Sequence, residues 1–418
     1  RQGMSSIQQL ITEHLDIWTT AESGKKSGRG RSSGNGETVF GIKKLRELIL
    51  ELAVRGKLVP QDPKDEPASE LLKRIQAEKA KLTIDSKNKK EKPLPPVADD
   101  EKPFELPQGW TWSRAEFVSL SIVDCPHSTP RFTSSGMICL DTNSIKLGRI
   151  IEDKLRFVDH ETYIDRNRRL TPMVGDIVFA REGSVGESCV IPDGFKCCLG
   201  QRVMLFRPSK EMNYDYFRLA LSEPGSLKRL LELHKGIGAK HVNVSDMRLA
   251  LIPLPSKKEQ TRIVAKVDEL MALCDQLEAQ HNNAADAHEK LVTHLLGTLT
   301  QSQDAADFNA NWQRIAEHFD TLFTTEHSID TLKQTLLQLA VMGKLVPQDP
   351  NDEPASELLK RIQAEKAKLI AEGKIKKEKP LPPIAEDEKP FELPVGWAYQ
   401  RLNDFCTGIT SGSTPPQS

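Results

Sequence analysis

At 418 residues the chain has room for roughly two to four domains, and its net charge of −1 with a near-neutral isoelectric point excludes a uniformly basic nucleic-acid binder. Its seven cysteines are odd in number and form no C-x-x-C pair, which points away from a disulfide framework or zinc ribbon and towards reduced thiols in a cytoplasmic protein. No apolar run approaches the roughly 18 residues of a membrane span, and the N-terminal stretch has no secretory apolar core.

Residues 1–40 open with an amphipathic helix over 4–20, in which Ile7, Leu10, Ile11, Leu15 and Trp18 share a face. A Gly/Ser/Lys-rich linker follows over 21–37. Residues 41–100 begin with a helix whose stripe is Leu45, Leu48, Ile49, Leu52 and Ala53, ended by Gly56. A Pro/Asp connector leads to a second helix, for which Ser69 is the expected cap, and then to a charged, Pro-rich extended strap.

Between 101 and 258 the pattern changes to an α+β domain. GDIVFA (175–180), SCVIP (188–192) and RVMLFRP (202–208) read as strands. Residues 213–235 read as helices interrupted at Pro224-Gly225. Residues 121–258 carry 21 Lys+Arg against 16 Asp+Glu, so this segment is +5 and the remainder −6. That asymmetry fits a DNA-facing module on a protein-facing scaffold; chance variation is the alternative reading.

Residues 259–327 start with a long helix. Ile263, Val267, Leu270, Cys274, Leu277, His281, Ala284, His288, Leu291 and Leu295 alternate in steps of four and three, the 3.5-residue repeat of a left-handed coiled coil. Ile263, Val267, Leu270, Leu277, Leu291 and Leu295 are the expected packing residues, and such a seam requires a partner helix. Residues 297–327 are polar and less regular, and a further helix is expected from about Ile329.

Residues 328–397 repeat what came before. Leu339–Trp397 matches Leu52–Trp110 at a constant offset of 287, without gaps, with 49 of 59 positions identical. Solenoid repeats run to roughly 20–50 residues, so this is a duplicated module of spacer and domain. Residues 398–418 look like the start of a second copy of the central domain, with Ser413-Thr414-Pro415 paralleling Ser128-Thr129-Pro130.

Catalytic patterns are missing. There is no phosphate-binding G-x-x-x-x-G-K-[ST] loop, no G-x-G-x-x-G after a strand and no Asn-Pro-Pro-aromatic motif. Pro192-Asp193 with Lys196 lacks the second acid that a nuclease metal site needs. His281 and His288 lie one heptad apart and suit seam packing better than a metal. Cys197 and Cys198 would point to opposite faces of a strand and could not share a ligand.

Taken in order, GDIVFAREGSVGESCVI, GQRVMLFRP and HVNVSDMRLALIPLPSKKEQTRIVAKVDELM, with the flanking LAVRGKLVPQDP…LPQGW segments, resemble the specificity subunits of type I restriction–modification systems, in their EcoAI-like branch. The resemblance covers about 40–418. It implies two target-recognition domains held apart by antiparallel helices, each domain reading half of a bipartite double-stranded DNA site. It also implies modification subunits that bind S-adenosylmethionine and methylate adenine, with ATP- and Mg-dependent restriction subunits joining indirectly. No cofactor or metal is expected on this chain, and the second recognition domain is expected to be truncated, so that self-association could rebuild a symmetric reader.

Specificity in such a domain comes from loops entering the major groove and affinity largely from phosphate contacts. The candidate DNA contacts are Ser128, Thr129 and Arg131; Arg181 and Ser184 on a Gly-rich turn; Gln201 and Arg202; and Lys235, Lys240, His241 and Asn243 on a glycine-containing loop. Arg181 could fork onto guanine, or its turn is a plain hairpin. Asn243 has the donor–acceptor pair for adenine. Arg166, Arg168 and Arg169 read as phosphate contacts or solvated surface.

Overall fold

A computed structural model describes residues 17–18, 39–85, 94–232, 241–376 and 381–407. Most of the expected N-terminal helix, the linker 21–37, Lys235, Lys240 and residues 408–418 lie outside the described residues. The chain divides into two compact units, residues 1–281 and 282–418.

The first unit begins with α1 (Phe40–Val54) and α2 (Ala68–Asp85). The central domain then runs β1 (Thr111–Arg114), α3 (Ala115–Val118), β2 (Ser119–Asp124), β3 (Phe132–Thr133), β4 (Met137–Leu140), β5 (Ile145–Lys146), β6 (Arg149–Ile150) and β7 (Arg156–Val158). It continues with α4 (His160–Arg166), β8 (Ile177–Ala180), β9 (Ser188–Val190), β10 (Cys197–Leu199), β11 (Val203–Pro208), α5 (Tyr214–Ser222), α6 (Pro224–Glu232), α7 (Val244–Leu249) and β12 (Leu251–Leu254). The architecture is α+β.

An antiparallel sheet of order β2-β11-β8-β9 lies at the centre, and a mixed sheet of order β10-β4-β7-β3 packs against it. Side chains alternate along a strand, so neighbours feed different cores. Ile177, Phe179, Met204 and Phe206 enter a core shared with α1, α2, α5 and the following long helix. Val178, Val203 and Leu205 enter a second core with Leu140, Cys197 and Leu199 of the other sheet. Burial on both faces explains why these strands are apolar without interruption. Cys197 and Cys198 part as expected: Cys198 joins Cys139 and Val158 in a separate cluster. Because α1 and α2 share the main core with the central domain, residue 100 is not a packing boundary.

Gly56 ends α1 in the left-handed region at φ +64, where a Cβ would stand 2.5 Å from Pro107 Cγ. Ser69 is not the cap of α2. That helix starts at Ala68, whose N–H donates to the Gly109 carbonyl at 2.8 Å. A backbone acceptor in the returning strap thus does what the serine hydroxyl was expected to do.

Helix α8 (Lys257–Gln301) is continuous over 45 residues. In the first unit Ile263, Val267, Leu270, Cys274 and Leu277 are buried as the heptad pattern requires, and Arg46 of α1 pairs with Asp275 and Glu278 at 2.7 and 2.9 Å. Further along the pattern slips: Leu291 is 49% exposed, Leu295 is half-buried, and Val292, Leu296 and Leu299 are buried instead. A 3.5-residue stripe drifts by about 20° per heptad on a straight helix. Over four heptads that approaches the rotation of one residue, so the buried stripe advances by one position.

The second unit contains the end of α8, then α9 (Ala305–Glu317), α10 (Phe319–Leu322), α11 (Glu326–Val341), α12 (Ala355–Ala371) and α13 (Leu402–Phe405). Residues 297–327 are therefore more helical than expected. Phe308, Trp312 and Ile315 of α9 pack with Val292, Leu296 and Leu299 and with Leu332 and Leu339 of α11.

The two repeats fold alike in detail. Arg114 donates to the Pro95 and Pro96 carbonyls at 2.9 and 3.3 Å and pairs with Glu101 at 2.8 Å. Arg401 donates to Pro382 and Pro383 at 2.8 and 3.4 Å and pairs with Glu388 at 2.9 Å. Lys79 donates to Glu116 O, and Lys366 to Asn403 O. The structural repeat therefore extends past Trp397 to at least Phe405.

Candidate nucleic-acid interface

Four segments converge at one end of the central sheet: the β2–β3 loop, the β8–β9 turn, the β10–β11 turn and the stretch before α7. Their junction is built on Asp124, the last residue of β2. Its Oδ1 lies 3.1 Å from Arg181 Nε, though not aligned for a hydrogen bond, and its Oδ2 lies 3.3 Å from His127 Nε2. Arg181 also reaches His127 Nδ1 and the Val242 carbonyl, each at 3.4 Å. Gln201 Nε2 donates to the His127 carbonyl at 2.9 Å. Backbone bonds tie the same strands: Arg181 N–H to Arg202 O and Val242 N–H to Arg181 O, both 2.9 Å, with a bridge between Glu182 and His241.

A second brace lies beneath. Arg166, at the end of α4, is buried and donates to the carbonyls of Leu199, Gly200, Ser128 and Pro126 at 2.5 to 3.1 Å. A planar guanidinium has five donors in a fixed fork, and here they fix two candidate loops relative to each other. The expectation of Arg166 as a phosphate contact or solvated surface is corrected: no face of it is left for DNA. Arg169 donates to Asp124 O at 3.3 Å, and Arg168 pairs with Asp165 at 3.1 Å.

On this frame the candidates separate into two groups. Ser128, Thr129, Arg131, Ser184, Arg202 and His241 are exposed. Arg202 sits at φ +66 and lies 3.5 Å from Glu182. Gly183, at φ +78, has nothing within 4 Å of a Cβ position, so the tip of its turn is open. Arg181 and Gln201, by contrast, are half-buried and engaged inward, and in this conformation they position loops. Asn243 precedes α7 but its side chain makes no capping bond. Lys235 and Lys240 lie outside the described residues.

Sequence reasoning missed Asp124 and the stacking of Arg156 over the Phe132 ring, 3.2 Å from the centroid, beside Arg131. Neither has a local signal, because the partners meet only through strand pairing. Among the described residues no three His, Cys, Asp or Glu side chains are grouped to hold a metal ion, and no helix is long and apolar enough to cross a membrane.

The chain is similar in sequence to known proteins. The family described as the Type I restriction modification DNA specificity domain matches residues 159–287, which include the β8–β9 and β10–β11 turns and the first part of α8. The Type I restriction enzyme EcoEI specificity subunit of Escherichia coli is 47% identical over 431 aligned positions, covering 98% of this chain and 69% of that protein. The EcoAI specificity subunit of Escherichia coli is 48% identical, covering 96% of this chain and 68% of that protein. Among solved structures, the HsdS subunit from Thermoanaerobacter tengcongensis aligns with a TM-score of 0.32 at 19% identity over 67% of this chain and 66% of that one, too loosely to carry any argument. At 47% and 48% identity over nearly the whole of this chain and a little over two thirds of each of those two proteins, the chain belongs to the family of type I restriction–modification specificity subunits and is the DNA sequence-recognition subunit of such a system.

Proposed function

We propose that residues 111–254 read one half of a bipartite double-stranded DNA site in the cytoplasm and direct partner modification subunits to it, with restriction subunits joining through them. The observation that carries this reading is the convergence of four loops at one sheet end, locked from inside by Asp124, Arg181 and Arg166 and presenting Ser128, Thr129, Arg131, Ser184 and Arg202 outward. Base readout needs side chains held in register with the groove, and inward bracing supplies that. The exposed arginines suit phosphate or guanine. The chain itself carries out no catalysis in this reading; S-adenosylmethionine, ATP and Mg2+ belong to the partners.

The test is co-expression with the cognate modification subunit, followed by mapping of adenine methylation on a random-sequence DNA library. One methylated motif supports the reading, and a palindromic bipartite motif would add that two chains assemble around it. No motif, beside an active intact specificity subunit, would leave the chain a scaffold that holds modification subunits without reading DNA.

A further inference from the structure

Among their described residues, the four segments that meet at the end of the central sheet carry three acidic side chains: Asp124, Glu182 and Glu187. Two of them are tied into the protein. Asp124 faces Arg181 and His127 at 3.1 and 3.3 Å, and Glu187 Oε2 accepts from the Leu147 N–H at 2.6 Å. Glu182 instead faces outward. Its side chain is 34% exposed, and its Oε1 lies 3.5 Å from Nε of Arg202, which is itself 58% exposed. A carboxylate on a surface that meets phosphates is repelled by them, so its place there calls for a donor that only some sequences supply.

The backbone around Glu182 is fixed on both sides. Arg181 N–H donates to Arg202 O and Val242 N–H to Arg181 O, both at 2.9 Å, and Glu182 itself bridges to His241. Beyond it the turn is closed by Ala180 N–H to Glu187 O at 2.8 Å and Gly186 N–H to Ala180 O at 3.0 Å. Side chains alternate along extended backbone, so the inward turn of Arg181 sends Glu182 to the other side, beside Arg202. The next residue, Gly183, leaves the tip of the turn open. Arg202 approaches one oxygen, and a carboxylate has about four lone-pair sites, so acceptor capacity remains.

We propose that Glu182 is a specificity-determining side chain that accepts from the N4 amino group of a cytosine in the major groove. The inference rests on residues 111–254 being the domain that reads DNA. The amino donors of the major groove are cytosine N4 and adenine N6. Adenine sets its N7 acceptor beside N6, which turns a lone pair on the carboxylate and suits the mixed donor and acceptor of Asn or Gln. Cytosine has no acceptor on that edge, so nothing opposes the second carboxylate oxygen. Guanine and thymine present acceptors and no amino donor there, and a carboxylate rejects them. One acid thus admits one base and disfavours three. Arg202 reads no base in this arrangement; it steadies Oε1 and offsets its charge against nearby phosphates.

The experiment co-expresses the full chain, wild type or Glu182→Gln, with the cognate modification subunit and maps adenine methylation on a random-sequence DNA library. The wild-type motif is expected to hold a position where cytosine, on either strand, is favoured at least about tenfold over other bases. Glu182→Gln keeps the shape of the side chain and gains an amide donor. It should lose that preference at least about tenfold, at this position alone, and admit adenine there. Its urea midpoint should match that of the wild type, which separates base reading from a structural role. An unchanged cytosine preference in Glu182→Gln overturns the proposal, and so does a change confined to an adenine position. Loss of preference at every position together also overturns it, by making Glu182 a loop-positioning group. So does a uniform rise in affinity with the motif kept, which would leave it a charge at the rim. A wild type that methylates no motif, beside an active intact specificity subunit, fails the DNA reading itself and this proposal with it.

Discussion

The Arg166 guanidinium donates to the Ser128 carbonyl at 3.1 Å from a buried position, and the same group holds the Gly200 carbonyl at 3.0 Å. One side chain therefore sets the distance between two candidate DNA loops. Arg166→Met should lower unfolding free energy by roughly 2–4 kcal/mol, because it leaves carbonyls at Leu199 and Gly200 without their donor. Arg166→Lys should recover little, since an ammonium cannot span the acceptors of a fork. Urea midpoints measure this; an unchanged midpoint for Arg166→Met would show the brace to be idle.

Arg131 and Arg202 project from the same region but are exposed. A solvated arginine that meets a phosphate releases counterions, and each such contact steepens the salt dependence of binding. Arg131→Ala and Arg202→Ala should each lower the slope of log K against log salt by about one while changing stability by less than about 0.5 kcal/mol. Binding titrations at several salt concentrations decide it. An unchanged slope removes that residue from the phosphate contacts.

Some of this was legible in the sequence, for reasons that particular residues show. Ile177–Ala180 and Val203–Pro208 announce themselves because central strands are apolar on both faces. Helices α5 and α6 divide at Pro224 as proline requires. The loops carrying Ser128, Ser184 and Arg202 are marked by glycine, proline and basic residues. The inward turn of Arg181 was not legible, because its partner Asp124 comes from another strand. Nor was the burial of Arg166, whose four acceptors lie 33 to 40 residues away. A side chain with a guanidinium reads the same whether it faces DNA or carbonyls.

The duplicated spacer provides its own control for acid sensitivity. The Arg262 guanidinium, hydrogen-bonded to Asp65, holds that carboxyl below the ordinary aspartate value of 3.8, with the Ser256 hydroxyl helping and burial opposing. A folded-state value below the unfolded one contributes stability that is present above the unfolded value and lost as pH falls through the folded one. Asp65→Asn should therefore lower stability at neutral pH and flatten the acid limb below about pH 5. Asp352→Asn, at the equivalent position of the second repeat, should do neither, because no Arg262 equivalent meets it among the described residues. Urea midpoints across the acid range compare the two, and equal effects would show that the pair is not what stabilises the first repeat.

The register of α8 makes the sharpest stability prediction, because heptad reading and structure disagree about adjacent pairs of residues. Heptad spacing puts Leu291 and Leu295 on the seam; the structure puts Val292 and Leu296 there, with Leu296 in the core formed with Ile315 and Leu332. Truncating a buried leucine removes its transfer free energy and leaves a cavity, typically about 2–5 kcal/mol, whereas an exposed leucine in a helix can become alanine within roughly 0.5 kcal/mol. Leu296→Ala should thus destabilise the second unit strongly and Leu291→Ala hardly at all. Limited proteolysis or hydrogen exchange resolved to residues 282–376 would separate this loss from events in the first unit. If Leu291→Ala proved the more damaging change, the helix would be following an unbroken 3.5-residue stripe, and the one-residue advance between Leu277 and Val292 would be wrong.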